Sequence, residues 1–293
     1  MRIKQTPGER IFVVCNTVLM ILLMILMLYP FYYVIMASLS MPSDMAAHRG
    51  ILLYPKGFQV ASYKLVFQNP DILTGYGNTL FYVIVGAGLS VIFTVMIGYV
   101  LSRKNLMFKK PLMFFIVFTM FFGGGMIPTF LMMSQIGLMG TRAAVILPGL
   151  IGTTNVIIMR TAFLGVPDSL EESAHMDGAN DLVILWKIML PLVMPTVSVM
   201  ILFYGVGRWN AWFDAMLYLR ERTKFPLQLI LREILVYSGT GDMLVSWGEF
   251  NGQDMSEIIK YTTIIVSTLP ILLIYPFLQK NFVKGVMIGA VKG

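Results

Sequence analysis

The stretch that decides the fold is IFVVCNTVLMILLMILMLYPFYYVIMA at residues 11–37, which contains no charged side chain. A helix needs about 20 mainly apolar residues to cross the hydrocarbon core of a bilayer. The stretch is too long for the apolar core of a secretory signal, and no small-x-small cleavage site follows it. We therefore expect an uncleaved membrane-spanning helix here.

The rest of the chain has the same apolar character. Hydrophobic residues make up 57% of the sequence and charged residues 13%, and the mean hydropathy is +0.77. Such values lie outside the range of soluble globular domains. The stretches apolar enough to span a membrane are residues 11–37, 78–101, 111–133, 143–164, 189–206 and 261–279. Because no internal repeat or linker separates them, we expect an all-α integral membrane protein with one domain over residues 1–293.

Basic residues between the predicted spans indicate the orientation. The link between the second and third spans carries only basic charges: Arg103, Lys104, Lys109 and Lys110. The N-terminal arm and the C-terminal tail are also basic, so the positive-inside rule places both termini in the cytoplasm. Residues 165–188 then form a cytoplasmic loop, and residues 207–260 form an external one. These flanks explain the net charge of +7, so we expect no nucleic-acid partner.

The stretch SLEESAHMDGAND at residues 169–181 is polar and differs from its apolar surroundings. Ser169 and Glu172 have the spacing of a capping box, which predicts a helix that begins at Ser169. Gly178 is a natural stop, because the residue after a helix often adopts the left-handed conformation. Asn180 or Asp181 can then cap a second helix that leads into the fifth predicted span.

Three interpretations of this stretch follow from its residues alone. Glu172 and His175 have the i, i+3 spacing of a di-iron ligand pair, which needs a second pair on a facing helix. The only other histidine, His48, is predicted on the opposite side of the membrane, and no predicted span carries an acid in its middle. A metal or acid–base site is therefore disfavoured. The remaining interpretations are a solvated polar loop and a surface to which another protein binds.

The spacing beyond this stretch is more specific. Residues 172–191 read ESAHMDGANDLVILWKIMLP, which resembles the EAA loop, E-A-A-x3-G-x9-I-x-L-P, of permease subunits in bacterial ATP-binding-cassette (ABC) importers. Every fixed position matches except Ser173, where the family usually has alanine. The C-terminal stretch at residues 269–293 resembles carbohydrate-importer permeases of the maltose type. The resemblance covers essentially the whole chain and implies a six-transmembrane-helix, type I importer permease.

In that family the EAA loop forms a coupling helix that docks in a cleft on a cytoplasmic ATPase subunit. A short helix with an acidic start can meet basic groups on such a partner, and small residues permit close approach. The residues that the resemblance assigns to ATPase coupling are Glu171, Glu172, Ser173, Ala174, His175, Met176, Asp177, Gly178 and Ala179. Closure of the ATPase dimer would then rock the spans between inward-open and outward-open states.

The resemblance also implies a set of partners in the bacterial inner membrane, in contact with its lipid. These are a second homologous permease subunit, two cytoplasmic ABC ATPase subunits and an extracytoplasmic solute-binding protein. The chain contains no G-x-x-x-x-G-K-[ST] phosphate loop, the motif that cradles nucleotide phosphates. We therefore expect ATP and Mg²⁺ on the ATPase subunits, and neither a cofactor nor a catalytic residue in this chain.

Polar residues within the spans are candidates for lining the translocation path, since such residues usually face protein or a cavity. They are Thr153, Thr154, Asn155, Thr196 and Ser198. Hydrogen bonding between helices is the alternative explanation. In the predicted external loop, the maltose-type resemblance assigns contact with the binding protein to residues near 239–254, including Trp247, Gly248 and Glu249. The loop also contains Trp209 and Trp212, which anchoring at the membrane interface explains.

Two stretches near the fifth predicted span indicate the substrate class. The stretches FYGVGRWNAWFDAMLYL and FPLQLILREIL resemble a subgroup of permeases for complex oligosaccharides, including uronate-rich ones, so an acidic oligosaccharide is the predicted substrate. The rival is a secondary transporter driven by an ion gradient. That class usually shows internal repeats and ionisable groups within its spans, whereas this chain shows no repeat and no acid in the middle of a predicted span.

Overall fold

The computed structural model describes residues 6–237, 257–273 and 276, and within them the only regular elements are helices. A single β-bridge joins Ser40 to Phe58. The α-helices are α1 (Pro7–Ser38), α2 (Pro42–Ala47), α3 (Ala61–Gln68), α4 (Pro70–Phe81), α5 (Gly88–Ser102), α6 (Lys109–Phe121), α7 (Met126–Gln135), α8 (Ala143–Ile146), α9 (Thr153–Leu164), α10 (Asp168–Met176), α11 (Asp181–Val183), α12 (Leu190–Leu192), α13 (Met194–Trp209), α14 (Phe213–Tyr218), α15 (Leu227–Tyr237) and α16 (257–273).

Shorter elements connect some of these helices without a loop. A π-helical segment at Tyr82–Ala87 joins α4 to α5, and another at Ile184–Met189 joins α11 to α12. A 3₁₀ turn at Arg222–Lys224 precedes α15. Helix α4 therefore continues through the π segment into α5, and Pro70–Ser102 forms one long helix.

The chain divides into two compact units. Among the described residues, one unit contains residues 6–69, 233–237 and 257–268, and the other contains residues 70–232, 269–273 and 276. In the first unit, Ala37, Leu52 and Ile258 are fully buried in a small apolar core. The second unit holds the larger core and every residue of the polar stretch at 169–181. The prediction of one domain stays a prediction.

Two helices in the described residues are long and apolar enough to cross a membrane, and up to four are counted if each bent pair forms one span. Pro7–Ser38 contains the first predicted span and Pro70–Ser102 contains the second. The total of six spans stays a prediction, since the sixth extends past the described residues.

The third predicted span is broken, which the sequence analysis did not anticipate. Helix α6 ends at Phe121 and α7 begins at Met126, with a bend of 113° between them. Three consecutive glycines separate the helices, and Gly125 has φ 87°. Because only glycine adopts such angles readily, this triplet allows the sharp turn.

The fourth and fifth predicted spans are broken near the prolines and glycines that interrupt their sequences. Helix α8 ends at Ile146 and α9 begins at Thr153, with Gly149 at φ 70° between them. The helical segment Asp181–Leu192 meets α13 at 87°. Prolines stand in the first turns of both α12 and α13, where a missing N–H costs no helical hydrogen bond.

Helices α5, α9 and α13 enclose the core of the second unit. Its fully buried side chains include Met159, Phe163, Ile184 and Met200. At Gly98 of α5, an added Cβ would lie 2.8 Å from Cγ of Met159. The absence of a side chain at Gly98 therefore lets α5 and α9 approach closely. Helix α10, which carries the predicted coupling residues, is attached directly to this core.

Candidate coupling site

Helix α10 starts earlier than the sequence predicts. Its N-cap is Pro167, which makes no side-chain cap, and Asp168 is its first residue. The predicted capping box of Ser169 and Glu172 is therefore wrong. The chain already has helical geometry at Asp168, so Ser169 lies inside the first turn and its backbone no longer has the extended conformation that a capping serine needs.

The end of α10 confirms the predicted glycine stop. Gly178 has φ 80°, its N–H donates to the His175 carbonyl at 3.0 Å, and the Ala179 N–H donates to the Ala174 carbonyl at 3.0 Å. This pair of bonds is the Schellman motif, which satisfies the last carbonyls of a helix. A Cβ on Gly178 would meet nothing within 4 Å. Glycine is therefore required here for its backbone conformation and not for space.

The predicted second cap is also present. The Asn180 side chain accepts a hydrogen bond from the Val183 N–H at 2.9 Å, which pairs one of the free amides at the start of α11. The chain therefore reverses between α10 and α11 through bonds made entirely by neighbouring residues.

One face of α10 is fixed to the core. Ala174 is only 6% exposed and belongs to the apolar cluster that contains Phe163, Ile184 and Leu185. A larger side chain at this position would separate the helix from the core, since well-packed interiors tolerate added volume poorly.

An ion pair fixes the start of α10 to the end of α5. The Arg103 guanidinium is paired with the Glu171 carboxylate, and their side chains are 19% and 15% exposed. The Tyr99 hydroxyl donates to Glu171 Oε1 at 3.2 Å, and the guanidinium lies over the Tyr99 ring, 4.6 Å from its centroid. Burial lowers the pKa of Arg103 from its ordinary value, yet an arginine stays charged at physiological pH.

A second ion pair lies nearby on the surface. Lys104 Nζ is 2.5 Å from Asp168 Oδ2, with side chains 77% and 48% exposed. The hydrogen bond from Lys104 lowers the pKa of Asp168, and the same bond raises the pKa of Lys104. Because both groups are in contact with water, this pair contributes little to stability.

The opposite side of α10 is open. We call it the exposed α10 surface, formed by Glu172, Ser173, His175, Met176 and Asp177, all of which are exposed. Met176 is 88% exposed. A methionine this exposed, on a helix anchored to the core at Ala174, is available to a partner, since this flexible side chain adapts to irregular binding surfaces.

A cavity of about 590 Å³ lies between α10, the end of α5 and the start of α11. Its lining includes both ion pairs, together with Glu172, His175 and Asp181. His175 Nε2 is 3.5 Å from Asp181 Oδ1. No group of three or more His, Cys, Asp or Glu side chains suited to a metal occurs in the part of the chain that the structure describes.

The candidates for the translocation path fall into two sets. Thr153, Thr154 and Asn155 form the first turn of α9, and the Thr153 hydroxyl is 3.2 Å from the Thr119 hydroxyl. Thr196 and Ser198 belong to α13, and Ser198 donates to the Met194 carbonyl at 3.1 Å. The Thr153 contact joins two helices, as in the alternative explanation, whereas the Ser198 bond lies within α13. A role in the path stays a prediction for all five residues.

The candidates for contact with the binding protein, Trp247, Gly248 and Glu249, lie outside the described residues, as does the C-terminal tail from 277 onward.

Sequence reasoning missed the side chains that hold the break between α8 and α9. Arg208 is buried and donates to the carbonyls of Val145 at 2.6 Å, Ile146 at 2.8 Å and Pro148 at 3.4 Å. An added Cβ on Gly86 would lie 3.3 Å from Arg208 Nε, so the glycine leaves room for the guanidinium. The available signal was a basic residue next to the fifth predicted span, which was instead assigned to the external loop.

Comparison with known proteins defines the class. Residues 95–213 match the family described as "Binding-protein-dependent transport system inner membrane component". The chain is 38% identical over 291 residues to protein LplC of Bacillus subtilis (strain 168), covering 99% of this chain and 97% of that protein. It is 41% identical over 266 residues to the polygalacturonan/rhamnogalacturonan transport system permease protein YtcP of the same organism, covering 90% and 92%. The chain belongs to this family of inner-membrane permease components.

Solved structures agree with this assignment. One chain comes from a bacterial ABC transporter involved in the import of the acidic polysaccharide alginate. It matches with a TM-score of 0.87 and 34% identity over 96% of this chain and 99% of that one. A second chain, from the alginate ABC transporter in complex with a pentasaccharide-bound periplasmic protein, has a TM-score of 0.57 at 18% identity and shows the fold alone. The predicted importer-permease fold and family are confirmed, and the secondary-transporter alternative is not favoured.

Proposed function

We propose that this permease imports acidic oligosaccharides across the inner membrane and that α10 couples it to ATP hydrolysis on a partner. The observation that carries the coupling role is the two-sided character of α10. One side is held by buried Ala174 and by the Arg103–Glu171 pair, and the other side is exposed. A helix that is both rigidly attached and open can transmit a push from a partner to the membrane-spanning helices.

The residues proposed for contact are those of the exposed α10 surface, with Glu172 as the main charged group. Glu172 stands in the second turn of α10, where a carboxylate can meet an arginine or lysine of an ATPase cleft without loss of its internal contacts. Gly178 and Ala179 keep the turn after the helix small. Glu171 and Ala174 support the surface from behind.

The partners follow from the family. We propose a heterodimer with a second, related permease subunit, two cytoplasmic ABC ATPase subunits that bind ATP and Mg²⁺, and an extracytoplasmic binding protein that delivers the substrate. This chain then performs no catalysis and holds no cofactor. Both termini lie in the cytoplasm, on the side of α10, and the apolar helices contact lipid.

The substrate proposal rests on the relatives. One is a subunit of a transporter that imports the acidic polysaccharide alginate, and another is named for polygalacturonan and rhamnogalacturonan transport. Both similarities extend over at least 90% of this chain. An acidic oligosaccharide is therefore the substrate class best supported for this permease.

The test of function is uptake by the complete importer in proteoliposomes loaded with ATP. Glu172→Lys reverses the charge on the exposed α10 surface, and Gly178→Asp strains the turn behind it. We expect each to reduce uptake of oligogalacturonate at least about tenfold and to weaken co-purification of the ATPase subunit. Glu221→Lys, which reverses an exposed charge paired with Lys224 in another loop, is the charge-reversal control and should retain uptake.

Three results would contradict the proposal. If Glu172→Lys and Gly178→Asp retain both uptake and ATPase association, α10 is not the coupling helix. If the wild-type importer takes up neutral oligosaccharides but not acidic ones, the proposed substrate class is wrong. Uptake that survives ATP removal but stops when ion gradients are collapsed would restore the secondary-transporter rival.

A further inference from the structure

The cytoplasmic end of α5 is held by basic side chains from several elements. Arg160 of α9 donates from Nε to the Leu101 carbonyl at 3.1 Å. Lys109 Nζ, at the start of α6, donates to the Arg103 carbonyl at 2.8 Å. Cations at a helix C-terminus are favourable because they oppose the negative end of the helix dipole. The end of α5 is therefore a fixed point in the second unit.

Among the charged side chains of α10, Glu171 is the one that is mostly buried. It contacts this fixed point through the Arg103 guanidinium. The Arg103 guanidinium also donates from Nη2 to the Ser102 hydroxyl at 2.8 Å. The Tyr99 hydroxyl donates to Oε1 of Glu171, the carboxylate oxygen that Arg103 does not pair with. These contacts set the guanidinium and the carboxylate in one orientation. We call the trio of Tyr99, Arg103 and Glu171 the α5–α10 link.

The link differs from the Lys104–Asp168 pair, which lies one residue further along the chain after α5. Lys104 and Asp168 are largely exposed and can separate and hydrate with little change in free energy. Arg103 and Glu171 are mostly buried, so separating them would leave desolvated charges without a partner, which is strongly unfavourable. A push on α10 therefore moves the end of α5 with it.

Chain connectivity makes this link mechanically important. Helix α10 is joined by short turns to α9 before it and to α11 after it, so those helices follow its movement directly. Helix α5 has no such connection. It can follow through its packing on α9 and α13, as at Gly98 and at the Thr94–Tyr204 hydrogen bond, or through the α5–α10 link at its end.

We propose that the α5–α10 link transmits the movement of the coupling helix to α5, with Arg103 as a positioning residue for coupling. This rests on the proposed function of α10. Without the link, the ATPase subunits still bind the exposed α10 surface and hydrolyse ATP. Helix α5, however, no longer moves together with α10. The signature of a broken link is ATP hydrolysis that is not matched by transport.

The experiment measures the number of oligosaccharides imported per ATP hydrolysed, in proteoliposomes that contain the complete importer with its loaded binding protein. Glu171→Gln keeps the shape of the side chain and removes its charge, and Tyr99→Phe removes one hydrogen bond. We expect Glu171→Gln to lower the transport-to-hydrolysis ratio about fivefold or more, within the usual range of coupling energies, and Tyr99→Phe to lower it less. Lys104→Gln, which breaks the exposed pair, should leave the ratio unchanged.

A second measurement follows the movement itself. In a Cys15→Ser background, spin labels at Asn105 and Leu170, both exposed, report the distance between the end of α5 and α10. We expect one narrow distance distribution in the wild type with and without ATP, and a broader distribution with ATP in Glu171→Gln. The double variant with the charges exchanged, Arg103→Glu with Glu171→Arg, should recover part of the transport-to-hydrolysis ratio that Glu171→Gln loses.

Two outcomes would overturn the link. One is a wild-type ratio in Glu171→Gln. The other is a parallel fall of hydrolysis, uptake and ATPase association, which would show that the trio only stabilises the fold. Failure of the proposed function is a separate result, because wild-type proteoliposomes would then show no ATP-dependent uptake of the acidic oligosaccharide at all.

Discussion

The second unit interrupts its helices in two contrasting ways, at the turn after α10 and at the break between α8 and α9. In the turn, Gly178 and Asn180 satisfy the backbone with bonds to residues no more than five positions away. In the break, the partners are Arg208 and Tyr204, from more than 50 residues further along the chain. A local turn can therefore form and move with its helix, whereas the break depends on the packed arrangement of α13.

The largest effect should come from removing Arg208. Arg208→Met leaves the buried carbonyls of Val145 and Ile146 without a donor, and we expect a loss of about 3 kcal/mol of unfolding free energy. Denaturant unfolding of the purified importer in detergent measures this. Arg220→Met, at an exposed arginine, is the control and should change stability little. Equal stability of the two variants would show that the break does not need its distant partner.

Tyr204→Phe should have the next largest effect. The Gly152 N–H donates to the Tyr204 hydroxyl at 2.9 Å, and that hydroxyl is also 2.7 Å from the Thr94 hydroxyl. Removing it leaves a backbone amide at the break unpaired, which should cost about 1–2 kcal/mol in the same unfolding measurement. Tyr32→Phe, which removes a hydroxyl bonded to the Leu53 carbonyl at an exposed position, should cost less. The reverse order would contradict the importance of burial at the break.

Gly178→Ala tests the turn. Since nothing lies within 4 Å of the added Cβ, the only cost is the left-handed backbone, about 1 kcal/mol. Gly205→Ala is the matched control, because Gly205 is helical and equally open and should gain slightly in stability. If Gly178→Ala is as stable as wild type, the Schellman turn contributes nothing to the position of α10.

Asn180→Ala should have a smaller effect on the same turn. Loss of the bond to the Val183 N–H typically costs about 0.5–1 kcal/mol at an exposed cap. Asn180→Asp retains the acceptor and should restore the wild-type unfolding midpoint. An alanine variant and an aspartate variant of equal stability would show that the cap has no role.

The smallest effect is the pH dependence of the Lys104–Asp168 pair. The pKa of Asp168 is lowered from its ordinary value of 3.8 by Lys104. Its contribution is therefore present above that value and is lost as the pH falls through the lower folded pKa. The difference in unfolding midpoint between wild type and Asp168→Asn should shrink between about pH 5 and about pH 3. A difference that grows on acidification would contradict this sign.

The sequence predicts what local chemistry determines. The first two spans, the Gly178 stop and the Asn180 cap depend on residues close in the chain, and the structure contains these features. The capping box at Ser169 failed because the helix begins one residue before it, at Asp168 after Pro167. The pattern alone does not fix the first residue of the helix.

Two further features were missed for different reasons. Arg208 reads as a loop cation in the sequence, because its partners are carbonyls of a helix break more than 50 residues away. The bend at Gly123–Gly125 lies within an apolar stretch whose composition alone fits a span. A distant contact, which the sequence does not display, decides the role of Arg208, whereas the bend follows from the local glycine triplet.

The central claim is that the exposed α10 surface contacts an ATPase subunit, and cross-linking tests it most directly. The sequence contains one cysteine, so a Cys15→Ser background allows single cysteines at Met176 and, as a control, at Ile51, which is 71% exposed and predicted on the other side of the membrane. With a short bis-maleimide and an ATPase subunit that carries cysteines in its docking cleft, Met176→Cys should yield a permease–ATPase adduct and Ile51→Cys none. No adduct at Met176, or equal adducts at both positions, would contradict the claim.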